Sequence, residues 1–181
     1  MSKRQLSVAD DGAIEELKKL EEVIHKGDSK VIAQLNHAGS AADPELTGFE
    51  AVGPSAVLNP RGKGNVIPRV LTGDEIKRLE ENYVQAAIRV RKAGFDGVEL
   101  HSAHGYLLNQ FYSPITNKRD DEYGSDTIEN RIDLKGDNKT MSLMFTLLLR
   151  ENYRNGRCIP VVSHRIIIND FIRRPKGLIE K

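Results

Sequence analysis

The chain has a single cysteine, Cys158, among 181 residues, so no internal disulfide can form. That points to a reducing, cytoplasmic setting. It has no tryptophan, and no apolar stretch longer than Met141–Leu149, which Ser142 and Thr146 interrupt. A membrane-spanning helix needs about 20 apolar residues, so this stretch reads as a buried helix or strand. The first eleven residues are polar and hold no apolar signal core. Charge of one sign is missing too: the formal net charge is +1, which calls for neither nucleic acid nor an anionic membrane as partner. The balance is uneven, however. Residues 135–181 carry 10 Lys/Arg against 4 Asp/Glu, whereas residues 1–134 carry 17 against 22. The two stretches are therefore read as different units: 1–134 as the main domain, 135–181 as an unassigned basic segment.

What is present is a 39% hydrophobic, 29% charged composition that suits one globular domain. Asp10 and Asp11 are placed to cap a helix whose apolar positions are Ile14, Leu17, Leu20 and Ile24, with Gly27 closing it. Val31–Leu35 reads as a strand buried on both faces. Residues 36–69 are rich in glycine and proline and show no period, the mark of a functional loop. Thr72 and Glu75 form a capping box for a helix with the stripe Ile76, Leu79, Tyr83, Ala86, Ala87 and Val90, ending at Gly94. Residues 95–101 then read as a strand with Glu99 and His101 on one face. Helix and strand alternate, which implies an α/β fold with parallel strands. Ligands bind beyond the carboxyl ends of such strands, where Gln34 and His101 fall.

The chemistry-bearing cluster is His101-Ser102-Ala103-His104-Gly105-Tyr106. Two imidazole N–H groups past a strand end can polarise a carbonyl oxygen, and Tyr106 can donate a proton beside them. Two other readings stay open: structural histidines, and a metal held by His101, His104 and His37 with Glu99 nearby. Gln34 can meet a heterocycle edge with both ends of its amide. Arg61-Gly62-Lys63-Gly64 resembles a phosphate nest but lacks Walker spacing, which leaves it a solvated loop.

Ala33-Gln34-Leu35-Asn36-His37-Ala38-Gly39 and the run Gly94-Phe95-Asp96-Gly97-Val98-Glu99-Leu100-His101-Ser102-Ala103-His104-Gly105-Tyr106-Leu107-Leu108-Asn109-Gln110-Phe111 resemble the old yellow enzyme family. Tyr112-Ser113-Pro114, the stretch Asn117–Gly124 and Glu129-Asn130-Arg131 continue the likeness. The resemblance implies a (β/α)8 TIM barrel that binds FMN, takes hydride from NADH or NADPH, and passes it to an activated C=C bond or a quinone-like acceptor. It implies that Gln34 holds the pyrimidine edge of the flavin, that His101 and His104 bind the substrate oxygen, and that Tyr106 is the proton donor. The His–His form resembles the NADH oxidase and bacterial ene-reductase branches. The family's opening strands and its phosphate-gripping loops are not legible here, Ser40 and Ala41 stand where many members carry a basic residue, and the likeness stops near Leu134. Arg150 and Arg154 lie at the distance of the family's flavin-facing arginine in surroundings that do not match. The expectation is an incomplete (β/α)8 barrel fragment with weak or no FMN affinity and impaired activity. The alternative is a non-catalytic remnant or interaction fragment, and Ile159–Val162 or Arg165–Ile168 would patch the sheet edge. Oligomeric state is not legible.

Overall fold

The computed structural model describes residues 6–59, 66–126 and the strand 159–163. The elements run α1 (Ala13–His25), β1 (Ile32–Leu35), a 3₁₀ turn (Gly39–Ala41), α2 (Pro44–Thr47), β2 (Val52–Gly53), β3 (Arg69–Val70), α3 (Gly73–Lys92), β4 (Gly97–His101), α4 (Leu107–Tyr112) and β5 (Ile159–Ser163). The main sheet has the order β1-β4-β5, all parallel. β2 and β3 form a separate parallel pair.

α3 follows its sequence pattern closely. Thr72 Oγ1 accepts from Glu75 N at 3.3 Å and Glu75 Oε2 accepts from Thr72 N at 2.9 Å, the reciprocal bonds of a capping box. Arg89, Arg91 and Lys92 lie in its last turn, where cations complement the helix dipole. Gly94 follows with φ +93°, a conformation that costs glycine little. The stripe Ile76, Tyr83, Ala86, Ala87 and Val90 is buried, with Leu79 packed against the core.

One core joins Leu17 of α1, Leu35 of β1, the later part of α3, and Val98 and Leu100 of β4. A second joins Leu71, Ile76, Leu107, Phe111 and Tyr123. The helices thus cover one face of the sheet. At the other end of the strands Asp96 ties this layer together. Its carboxylate accepts from Val31 N (3.0 Å) and Lys30 Nζ (2.8 Å) and meets His25 Nε2 at 2.7 Å. His25 Nδ1 pairs in turn with Glu21.

Four expectations change. α1 has Gly12 at its N-cap with no side-chain cap, because Asp10 spends its carboxylate on Gly12 N, 2.9 Å away. The left-handed residue after α1 is Asp28 (φ +53°) rather than Gly27. β1 is not buried on both faces: Ile32 is 49% exposed and Gln34 is exposed, since only its Ala33/Leu35 face meets helices. The stretch 36–69 is not structureless, for it holds the 3₁₀ turn, α2 and the two ladder strands. Residues 159–163 do add a strand beside β4, as the sequence reading allowed for Ile159–Val162. Met141–Leu149, Arg61–Gly64, Arg150, Arg154 and Arg165–Ile168 lie outside the described residues. Among the described residues no helix is long and apolar enough to cross a membrane.

Candidate functional site

The register of the parallel sheet settles which side chains share a face. Gln34 stands beside Glu99, and Leu35 beside Leu100. Neighbours in register point the same way and side chains alternate along each strand. Gln34, Glu99 and His101 therefore lie on the face away from the helices, with Val98 and Leu100 on the covered face. Among the described residues the Gln34 carboxamide makes no hydrogen bond, so both its ends are available to a ligand.

β4 ends at His101, which is 6% exposed. Ser102 and Ala103, both buried, turn the chain, and His104 follows in the left-handed region (φ +57°), as does Gly105 (φ +72°). This conformation is uncommon outside glycine and costs energy that the surroundings must offset. It swings the exposed His104 ring back over the strand end: Nδ1 of His104 lies 3.2 Å from Nε2 of His101, with ring centroids 5.1 Å apart. The Tyr106 ring sits on the same imidazole, 5.3 Å from the His101 centroid and inclined 55°. All three residues of the sequence cluster are thus brought together, one strand away from Gln34.

His37 is not part of this group. Its Nδ1 accepts from Gly39 N at 3.0 Å, and it lines a small open cleft of about 240 Å³ with Leu71, Glu75, Arg78 and Asn82. Burial holds its pKa below the ordinary 6.5, since desolvation disfavours the charged ring. Among the described residues no three His, Cys, Asp or Glu side chains are grouped as a metal would need, so the three-histidine reading lacks its geometry.

Two buried amides, passed over in the sequence, hold the loops behind the site. Gln110 of α4 is one. Asn117 is the other: its Nδ2 donates to Phe111 O (2.8 Å) and Tyr123 O (2.7 Å), and its Oδ1 accepts from Arg119 N (3.1 Å). Arg119 reaches on to Pro54 O and Leu71 O, at 3.1 and 2.7 Å, joining this loop to the β2–β3 excursion.

The model of the NADH:flavin oxidoreductase / NADH oxidase family matches residues 1–134. This chain belongs to that family. It is 40% identical over 138 residues to an NADH:flavin oxidoreductase of Gibberella zeae, an alignment covering 68% of this chain and 33% of that protein. Among solved structures, the old yellow enzyme homologue from Zymomonas mobilis superposes with a TM-score of 0.74 at 30% identity, covering 86% of this chain and 44% of that one. Old Yellow Enzyme from Pichia sp. AKU4542 gives 0.71 at 34%, covering 86% and 41%. The chain thus spans about a third of the length of the curated relative and under half of these structures. The fold is the TIM barrel of the old yellow enzymes, represented among the described residues by a parallel segment that does not close on itself.

Proposed function

We propose that the Gln34–His101–His104 face is an FMN and substrate site, and that the chain's chemistry is hydride transfer from NADH or NADPH to an activated alkene or quinone-like acceptor. The observation that carries this reading is the shared sheet face: an uncommitted carboxamide on β1 beside a paired imidazole cluster at the end of β4. FMN, when bound, would supply the hydride exchange. The residues fit that group at one edge, since Gln34 offers a donor and an acceptor in one plane, as the flavin pyrimidine requires. One edge contact is a small part of a cofactor grip, so affinity for free FMN is expected to be weak.

His101 and His104 would bind the acceptor's oxygen. The N–H···N bond between them uses one proton on one nitrogen, so an arriving oxygen must replace that bond to collect a donor from each ring. Two such donors stabilise the negative charge that an unsaturated carbonyl gathers on its oxygen as hydride arrives. Tyr106, packed on His101, is the proton donor for the neighbouring carbon.

The test is NADH oxidation by the chain in excess FMN, with an α,β-unsaturated ketone as acceptor, read as loss of the alkene. The expected result is alkene loss above the free-FMN rate that disappears in His101→Ala/His104→Ala. A wild-type rate equal to that of free FMN rejects the reading.

A further inference from the structure

We infer that Gln110 is a positioning residue for His104, locking the left-handed backbone that aims this imidazole at His101; the inference rests on the reading of the pair as an oxygen-binding site. Gln110 is 1% exposed and lies in α4, with its amide bonded to backbone groups. Its Nε2 donates to Gly105 O at 2.7 Å and to Ala38 O at 3.1 Å, while its Oε1 accepts from Ser40 N at 3.0 Å. These partners fix the amide's orientation: turned over, its oxygen would face two carbonyl oxygens and its NH₂ the Ser40 N–H donor.

The consequence falls on Gly105, the residue after His104. Gly105 O is held by Gln110 and Gly105 N by Asn109 Oδ1 at 2.9 Å, so both peptide units flanking Gly105 are pinned by successive residues of α4. Asn109 thereby holds the His104–Gly105 peptide, and with it ψ of His104, whose φ is already +57°, while Gln110 holds the next peptide and so fixes ψ of Gly105, the second left-handed residue of the turn. A strained backbone persists where its surroundings over-determine it. The same amide binds the loop that follows β1, and Leu107 N adds a 3.0 Å bond to His37 O. The loop after Gln34 and the loop after His101 therefore move as one piece. Gly39 makes the approach possible, because a Cβ there would collide with Gln110 Oε1 and its φ is +59°.

Nuclear magnetic resonance on the flavin-free chain tests this. In the wild type a ring-to-ring NOE between His101 and His104 is expected, with slowed exchange at the Ser40 and Gly105 amides, both of which donate to side chains rather than to backbone carbonyls. Gln110→Glu keeps the size and the Ser40 acceptor but turns an oxygen toward the Gly105 and Ala38 carbonyls. It should lose the ring NOE while the β1–β4 cross-strand NOEs remain. Gly39→Ala, acting through the displaced amide, should do the same. A merely structural role would lower the melting temperature and leave the ring NOE in the folded molecules. Persistence of that NOE in folded Gln110→Glu, or unprotected Ser40 and Gly105 amides in the wild type, overturns the inference. The wild-type exchange decides if both variants fail to fold. Absent flavin binding with a lost ring NOE would reject the proposed function and support this inference.

Discussion

Nδ1 of His104 lies 3.2 Å from Nε2 of His101, and His104 makes that contact from a left-handed backbone (φ +57°) uncommon outside glycine. The pair is built rather than incidental. Its expected behaviour follows from treating the two nitrogens as one oxygen-binding unit.

Replacing either histidine with alanine removes one donor to a charged oxygen, a loss of about 1.5–3 kcal/mol, or roughly 10- to 100-fold in affinity. Titration with a phenol in the presence of FMN should show this for each single variant and no binding for the double. Unchanged affinity in His104→Ala would remove it from the site.

Tyr106→Phe keeps the ring on His101 and deletes the hydroxyl. Alkene reduction should slow by roughly 10²-fold or more, as for loss of a general acid, while reduction of flavin by NADH stays the same. Equal slowing of both half-reactions would contradict the proton-donor role. Rapid-mixing absorbance separates the two.

The His25 cluster should shape stability against pH. The Asp96 hydrogen bond, then the neighbouring Glu21 charge, hold the His25 imidazole above its ordinary 6.5. A raised pKa in the folded state stabilises fully below about 6.5 and loses that support as pH rises through the folded value. Lys30, Val31 N–H and His25 hold the Asp96 carboxyl far below its ordinary 3.8, so its support is complete above that pH and is lost only in strong acid. The urea midpoint should therefore fall as pH rises above about 6.5 in the wild type and stay flatter in His25→Gln. The same slope in both would exclude His25 as its source.

Leu100→Ala empties a side chain that is 2% exposed in the core beneath β4. A loss of about 2–5 kcal/mol is expected, read as a lower denaturation midpoint. The cost should exceed that of Ile32→Ala, on the uncovered face of β1.

Much of this was legible in sequence where a pattern was long enough to repeat. α3 shows five buried positions at helical spacing and a capping box, and β4 ends on the histidine that the motif marks. The β2–β3 ladder is two residues a side and α4 only six, too short for any period to register. β1 looked buried because its composition is apolar, but composition does not say which face has a partner. Gln110 and Asn117 were illegible for a different reason: an amide's worth lies in which distant carbonyls reach it, and no local spacing encodes that.

In the proposed site one sheet face, from Gln34 to His101 and His104, would receive the flavin ring. Chemical-shift mapping of the ¹⁵N-labelled chain with millimolar FMN tests it directly and tolerates weak affinity. The expected shifts concentrate at the Gln34 side-chain amide, the His101 and His104 rings and Tyr106, and shrink in Gln34→Ala. Shifts confined to the cleft beside His37, or none at saturating FMN, would contradict it.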